Sequence, residues 1–298
     1  MVKLTKSITE ILPDNYEVKK INKEDFVFLE GPVWDKDKEI LYFTDPLASK
    51  VYMMAENALF KSVFEDSGYA NGMCLNLEGN LVICKMDSGS IEEINPLTGK
   101  QVRTISKGYN NKAYNATNDV IFDSKGGYYI TDPFFTYGPK TQDTEATYYC
   151  SDKGQTIRVA NDSIKPNGLA LSPDEKYLYI DDTGSINIWR YEVEKDGTLK
   201  NGKVFCKLIP PEHIENLPYV QHFGEADGMK VDVMGNIYVT TYTGIQIFNQ
   251  EGEYLGIIKM PDKETASNIV FGGRDLTTLY ITARTSLYCV NVLIPGLT

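Results

Sequence analysis

The chain has 298 residues, of which 42% are hydrophobic, and it carries a formal net charge of −11. This composition excludes a disordered chain, and the acidic balance argues against a nucleic-acid partner, because phosphate binding requires a basic surface. Residues 1–10 lack the apolar core of a signal peptide, and no stretch approaches the ~20 apolar residues of a membrane span. We therefore expect a soluble cytoplasmic protein with no membrane partner. Five cysteines without a C-x-x-C pair agree with reduced thiols in that compartment.

The first strand-like run, residues 16–21, precedes a sixfold repeat that continues to about residue 292. In each repeat an Asn, Asp or Glu stands directly before an apolar run, and a second run ends 14 or 15 residues later. The six residues at the repeat heads are Glu30, Asn71, Asn118, Asn167, Asp227 and Asn268. Repeats of about 40 to 60 residues made of short strands are typical of propellers. The sequence therefore predicts an all-β fold, a six-bladed β-propeller formed by residues 1–298 as a single domain.

The fifth repeat shows the four strands of a blade most clearly. Short β-branched and aromatic runs at 228–233, 236–241, 244–249 and 254–258 are separated by Gly, Asn and Asp turns. The sixth repeat has room for three strands only. We predict that residues 16–21 supply its outer strand and close the ring, because an open blade edge would promote aggregation.

In a propeller the six repeat heads lie at one level around the axis. Two of them, Glu30 and Asp227, are carboxylates, which repel by roughly 4 kcal/mol when ~4 Å apart at an effective dielectric near 20. Such a pair requires a cation or a shared proton. A ring of carboxylate and amide oxygens favours Ca²⁺, with Mg²⁺ or Mn²⁺ as alternatives and Zn²⁺ less favoured, because the ring lacks histidine and thiolate.

Three long connections are predicted to cover the same face of the propeller, at 104–117, 133–146 and 207–226. They are rich in aromatic residues and contain both histidines. From them we predict three substrate-binding residues, Tyr114, Phe134 and His222. Asn71 and Asn268 are added as substrate-binding candidates from the ring, although support of a neighbouring ligand and a simple turn remain alternatives for both.

Six motifs resemble the regucalcin/gluconolactonase family, also called the senescence-marker-protein family. They are EGPVW at 30–34, ND at 118–119, TDP at 131–133, PNGLALS at 166–172, ADGM at 226–229 and FGG at 271–273. The resemblance covers nearly the whole chain in the right order. It implies a propeller with one divalent cation in the central channel and hydrolysis of a small-molecule lactone.

The resemblance also assigns roles to residues. It implies Glu30, Asn118, Asn167 and Asp227 as metal ligands, with Asp227 also as the base that activates water. Asp119 is the second candidate for the catalytic base, and some bacterial members of the family hold a second Ca²⁺ near the matching residue.

One departure bears on the substrate, since sugar-lactone members carry an Arg two residues before the Asn that matches Asn118. Here Ala116 occupies that position, which puts aldonolactone specificity in doubt.

Two other functions fit the same ring. One is a phosphotriesterase of the diisopropyl-fluorophosphatase type, which shares the implied ligand plan. The other is a non-catalytic propeller that binds calcium or a ligand. For either, and for the lactonase, we expect a monomer or a weak homo-oligomer.

Overall fold

A computed structural model of the chain describes residues 4–55, 58–135, 139–210, 225–261 and 264–297. Its strands form six antiparallel sheets of four strands each, arranged as the blades of a propeller. The predicted six-bladed all-β fold is confirmed. The described residues include one short 3₁₀ helix, Ile8–Glu10, and no helix long and apolar enough to cross a membrane.

Chain order places the blades around the ring, after a first strand β1 (Lys19–Lys20). Blade 1 contains β2 (Glu30–Asp35), β3 (Ile40–Asp45), β4 (Lys50–Ala55) and β5 (Leu59–Glu65). Blade 2 contains β6 (Ala70–Leu75), β7 (Leu81–Lys85), β8 (Ser90–Asn95) and β9 (Lys100–Ser106). Blade 3 contains β10 (Val120–Phe122), β11 (Tyr128–Asp132), β12 (Ala146–Cys150) and β13 (Thr156–Ala160).

The second half of the ring repeats the pattern. Blade 4 contains β14 (Pro166–Leu171), β15 (Tyr177–Asp182), β16 (Asn187–Val193) and β17 (Leu199–Lys207). Blade 5 contains β18 (Met229–Val231), β19 (Ile237–Thr241), β20 (Gly244–Phe248) and β21 (Tyr254–Ile258). Blade 6 contains β22 (Asn268–Gly272), β23 (Thr278–Ala283) and β24 (Ser286–Asn291), with β1 as its fourth strand.

The N-terminal segment closes the ring as predicted, but with a shorter strand. Lys19 pairs with Cys289 and Lys20 with Tyr288, and the N–H of Ile21 then donates to the carbonyl of Leu287 at 2.8 Å. Both lysines of β1 are exposed. Charged side chains on an outer strand oppose edge-to-edge association, so the closing strand also protects the sheet that it completes.

The hydrophobic core lies between neighbouring blades. One cluster joins Val82 and Ile91 of blade 2 to Val120 and Tyr148 of blade 3, and another joins blades 5 and 6. The second strands are therefore buried on both faces, which explains their nearly continuous apolar sequences.

Close approach of the inner strands brings the repeat heads together. The glycine after the head residue allows this approach in four blades. At Gly168, for example, a Cβ atom would lie 2.5 Å from the carbonyl oxygen of Asp227, whereas the Gly168 N–H donates to that oxygen at 2.8 Å. Gly31 has a φ of +46°, and a Cβ atom there would lie 2.2 Å from the carbonyl oxygen of Asn71. The sequence thus links blades through backbone contacts directly beside the head residues.

Candidate functional site

A cavity of about 640 Å³ lies at the axis on the face where the inner strands begin. Five of the six head residues line it: Glu30, Asn71, Asn118, Asn167 and Asp227. Its wall also contains the aromatic residues Phe28, Phe134 and Phe135. The structure therefore brings polar residues from five separate repeats together in one cavity.

Glu30 begins β2 and is 3% exposed. Its Oε2 accepts hydrogen bonds from the Gly31 N–H at 2.9 Å and from Asn268 Nδ2 at 3.2 Å. Burial raises the pKa of the Glu30 carboxyl well above its usual range, and the nearby charge of Asp227 raises it further. The carboxyl is thus poised to exchange its proton for another positive charge.

Asp227 precedes β18, and its N–H still donates to the carbonyl of Thr240 at 3.2 Å. Its Oδ1 accepts a hydrogen bond from Asn167 Nδ2 at 2.9 Å. Burial raises the pKa of Asp227 to about 7, although the hydrogen bond from Asn167 acts in the opposite direction.

The orientation of the Asn167 amide is fixed on its nitrogen side. Nδ2 donates both to Asp227 and, at 3.0 Å, to Thr183 Oγ1, and that hydroxyl donates in turn to the carbonyl of Ala226 at 2.6 Å. The oxygen Oδ1 of Asn167 is therefore the atom left to act as an acceptor or a ligand.

The other two asparagines of the cavity are held by their blades. Asn118 donates its backbone N–H to the carbonyl of Thr131 at 2.9 Å, which continues the pairing of β10 with β11. Asn71 directs Nδ2 toward the sulfur of Met86 at 3.4 Å.

Two of the predicted substrate-binding residues lie elsewhere. Asn268 is 4% exposed and donates to Glu30, so the structure places it behind a cavity carboxylate and does not place it on the wall. Tyr114 is 1% exposed, packs against Tyr148 with its ring tilted by 60° in the core between blades 2 and 3, and shares a hydrogen bond with the Ser106 hydroxyl at 2.9 Å. Its aromatic ring and its hydroxyl group are both accommodated by that core. Phe134 lies on the cavity wall, whereas His222 falls outside the described residues.

Asp119 occupies the position that glycine takes after other head residues, and it does not line the cavity. Its Oδ1 accepts the Val120 N–H at 2.9 Å, whereas Oδ2 is buried without a hydrogen-bond partner among the described residues. Burial raises its pKa, and the charge of Lys230 acts against this shift.

Asp181 is a second buried carboxyl that the sequence repeat conceals. Threonine stands at the equivalent position of four blades, where its hydroxyl donates to backbone carbonyls, as Thr131 does to Asn167 at 2.6 Å. In blade 4 the residue is Asp181, whose Oδ1 accepts the Gly168 N–H and whose Oδ2 has no partner among the described residues. Burial, followed by the charge of Asp227, raises its pKa well above the usual range. In the sequence, the only indication of this carboxyl is that aspartate stands where four other blades have threonine.

The donor set of the cavity suits a hard divalent cation. Among the described residues, the carboxylates of Glu30, Glu225 and Asp227 and the amides of Asn118 and Asn167 line one space, and each of these groups carries an oxygen that can bind a cation. Among the described residues no three acidic, histidine or cysteine side chains lie close enough to form a metal site by themselves. A cation would therefore depend on the asparagine oxygens as well as on Glu30 and Asp227.

The fold and the cavity define a six-bladed propeller with an oxygen-rich site at its hub. Comparison with known families identifies the family, because residues 28–285 match the model described as the SMP-30/gluconolactonase/LRE-like region. The chain belongs to this family.

Individual relatives agree. The chain is 30% identical over 282 residues to a gluconolactonase of Zymomonas mobilis, with 87% of this chain and 77% of the relative covered. A solved Xanthomonas campestris protein, described as a gluconolactonase, is 25% identical, covers 97% of this chain and 94% of its own, and superposes with a TM-score of 0.84. An Agrobacterium tumefaciens regucalcin, described as a calcium-binding protein, shares the fold with a TM-score of 0.78 at 14% identity over 95% of this chain and 96% of its own.

Proposed function

We propose that the protein hydrolyses a lactone, using one divalent cation held by Glu30, Asn118, Asn167 and Asp227. The observation that carries this proposal is the convergence of these four residues from four blades on one cavity. The gluconolactonase relatives supply the reaction class, and Ca²⁺ is the cation that the oxygen-only donor set suits best. Mg²⁺, Mn²⁺ and Zn²⁺ are the alternatives.

The two carboxylates account for the charge that such a cation requires. Without it, burial raises the pKa values of both carboxyls, the charge of Asp227 adds to the shift at Glu30, and the charges of Asp119 and Glu225 add to the shift at Asp227, so the protonated forms are favoured. When bound, the cation supplies Lewis-acid polarisation of the lactone carbonyl oxygen, which is worth several kcal/mol in the transition state.

Asp227 is the residue that we assign as general base. It lines the cavity, and its Oδ1 is oriented by Asn167 Nδ2, whereas Asp119 lies outside the cavity. A base must lie within hydrogen-bond reach of the water whose proton it accepts, so geometry favours Asp227 over Asp119. After proton transfer from the water to a carboxylate oxygen of Asp227, the same proton is available for the leaving hydroxyl oxygen of the opened ring.

The cavity wall supplies substrate contacts. Phe134 and Phe28 offer apolar surface, and Asn71 offers an amide. We assign Phe134 and Asn71 to substrate binding, and Asn268 to positioning Glu30 through their 3.2 Å hydrogen bond.

A second cation near Asp119 is part of the proposal. Asp119 and Asp181 each keep one buried carboxylate oxygen without a donor among the described residues, and burial raises both pKa values. Unpaired buried carboxylates are costly, and a cation or retained protons would remove that cost.

The proposed function is tested by chelation followed by separate addition of Ca²⁺, Mg²⁺, Mn²⁺ and Zn²⁺. Initial rates are measured on a panel of lactones and organophosphates. We expect chelation to abolish lactone hydrolysis and one of these cations to restore it. Glu30→Gln should weaken cation binding in calorimetry by at least about tenfold. Glu65→Gln, the same change on an exposed side chain, is the matched control.

Full lactone hydrolysis after thorough chelation would reject the metal mechanism. Hydrolysis of organophosphates without that of lactones would identify a phosphotriesterase. Tight cation binding with no turnover of either class would identify a non-catalytic binding protein.

A further inference from the structure

We propose that the lactone carries an anionic group, a carboxylate or a phosphate, that binds Lys165 on the cavity wall. This inference rests on the proposed lactonase function and specifies its substrate class. Lys165 lines the same cavity as Glu30, Asn167 and Asp227.

The position of Lys165 in the blade repeat directs it into the cavity. It stands two residues before the head residue Asn167, and its N–H donates to Oδ1 of Asp182 at 2.8 Å. Phe28 in blade 1 makes the same backbone contact with Asp45, and Ala116 in blade 3 makes it with Asp132.

Residues at this offset form much of the cavity wall. Phe28, Lys165, Glu225 and Ala266 each stand two residues before a head residue, and all four line the cavity. The side chain at this offset therefore determines the chemistry that a substrate meets beside the cation ligands. In blade 3 the residue at this offset is the small Ala116, which is fully buried and does not line the cavity, whereas blade 4 offers an ammonium group.

The ammonium of Lys165 is held at the wall without a carboxylate partner. Its Nζ donates to the carbonyl of Phe134 at 3.2 Å and lies 4.7 Å from the centroid of the Phe135 ring. No carboxylate of a described residue forms an ion pair with it. A half-buried ammonium satisfied by one neutral carbonyl and an aromatic face retains donors for an anion.

The other cationic residue of the wall, Arg284, has a different environment. Its charge lowers the pKa of Asp227 and that of Glu225, so it acts on two carboxyl groups of the same cavity. Arg284 therefore serves to balance acidic residues of the protein, and Lys165 is the cation available to a ligand.

The charge balance of the cavity supports an anionic substrate. Within the described ranges three carboxylates line it, Glu30, Asp227 and Glu225, together with the two cations Lys165 and Arg284. A bound divalent cation would leave one positive charge in excess. An anionic substituent on the lactone would neutralise that excess, whereas a neutral lactone would leave Lys165 desolvated and unpaired.

The test compares a neutral lactone with anionic relatives of the same ring. We would measure kcat/KM for glucono-delta-lactone, for its derivative phosphorylated on the terminal hydroxyl, and for the lactone with a terminal carboxylate. Wild type, Lys165→Met and Lys165→Arg are compared, with Lys176→Met as a matched control on an exposed lysine of the same blade.

We expect wild type to prefer at least one anionic lactone by roughly tenfold or more. Lys165→Met should lose roughly 10- to 100-fold on that substrate, as expected for a charge-assisted hydrogen bond, and change less than about threefold on the neutral one. Lys165→Arg should retain most of the preference. Comparison of the phosphorylated lactone with the carboxylated lactone shows which anion binds Lys165.

Equal losses on neutral and anionic lactones, or no preference in wild type, would overturn the inference while leaving lactone hydrolysis intact. If no lactone is hydrolysed, the proposed function fails, and binding decides the inference separately. Calorimetric titration with the same neutral, phosphorylated and carboxylated lactones then replaces turnover. Equal affinity of wild type for the neutral lactone and both anionic ones, or a Lys165→Met variant with undiminished affinity for the preferred anionic lactone, would overturn it.

Discussion

Two groups of carboxylates lie on the same face of the propeller and differ in what surrounds them. Asp45 and Asp182, at the ends of second strands, each accept three backbone N–H groups, and Asp182 also accepts the Ser185 hydroxyl. Glu30 and Asp227, one layer closer to the axis, accept two hydrogen bonds and one, respectively, and the charge of Asp227 raises the pKa of Glu30.

Under the proposed function, this difference separates acids that stabilise the fold from acids that bind the cation. A carboxylate that accepts several backbone N–H groups holds a loop against its blade, and it has few lone pairs left to bind a ligand. A buried pair with unfilled lone pairs is unfavourable for folding and suited to binding a cation. Matched substitutions in the two groups therefore test this assignment, because one group should affect turnover and cation binding and the other should affect stability.

The largest effect is expected for Asp227→Asn. The amide preserves the shape of the side chain but can neither accept the proton of water nor contribute charge to the cation site, so kcat should fall by roughly 10²- to 10⁴-fold. Lactone turnover at saturating cation measures the change. Asp45→Asn is the matched control and should keep most activity per folded molecule. Wild-type turnover by a cation-loaded Asp227→Asn variant would assign the base elsewhere.

A smaller effect, on stability, is expected for Asp45→Ala. Three backbone N–H groups at the start of blade 1 and in the following turn lose their acceptor, so the free energy of unfolding should fall by about 2–3 kcal/mol. Urea unfolding measures this change, and calorimetry should show nearly unchanged cation affinity. Lost cation binding at normal stability would mean that Asp45 belongs to the functional group of acids.

The smallest change in stability, counted per group and per pH unit, is expected when pH is varied for the cation-free protein. Glu30 and Asp227 have raised pKa values in the folded state, the latter about 7, so the folded chain holds protons that the unfolded chain releases near pH 4. Their contribution to stability is present below about pH 4 and is lost as pH rises through about 7, at roughly 1.4 kcal/mol per pH unit for each of the two groups.

Thermal unfolding at several pH values in the presence of a chelator measures this slope. Added cation should stabilise more strongly as pH rises, because it replaces those protons. The variant with both Glu30→Gln and Asp227→Asn is expected to show a weaker pH dependence. A slope of the opposite sign that persists in the double variant would trace the pH response to other groups.

Local sequence was sufficient for the architecture. The alternation of short apolar runs with Gly, Asn and Asp turns depends on neighbours along the chain, and it predicted the blades and the closing role of residues 16–21. The length of that closing strand was overestimated, since its extent depends on contacts with β24 and with solvent, which periodicity does not report.

The ring could be predicted from the sequence because all six head residues occupy the same position in the repeat. That position gives the level of a residue along the propeller axis, but it does not give the direction of its side chain. Asn268 shares this position with Asn71, yet one supports Glu30 from behind and the other lines the cavity. Asp119 is adjacent to Asn118 and still lies outside the cavity, since successive residues of an extended chain point to opposite sides.

What the sequence by itself determined is the sixfold β repeat, the oxygen-bearing residues at its heads and the family motifs around them. Tertiary structure alone placed Tyr114 in the core, Asp181 beneath the hub, and Lys165, Thr183 and Arg284 beside the cavity. The physical reason is that these positions are decided by packing between blades and by how long connections cross the propeller face. Such contacts join residues far apart in the chain, so the repeat marks the positions of Asp181 and Lys165 without showing what their side chains contact.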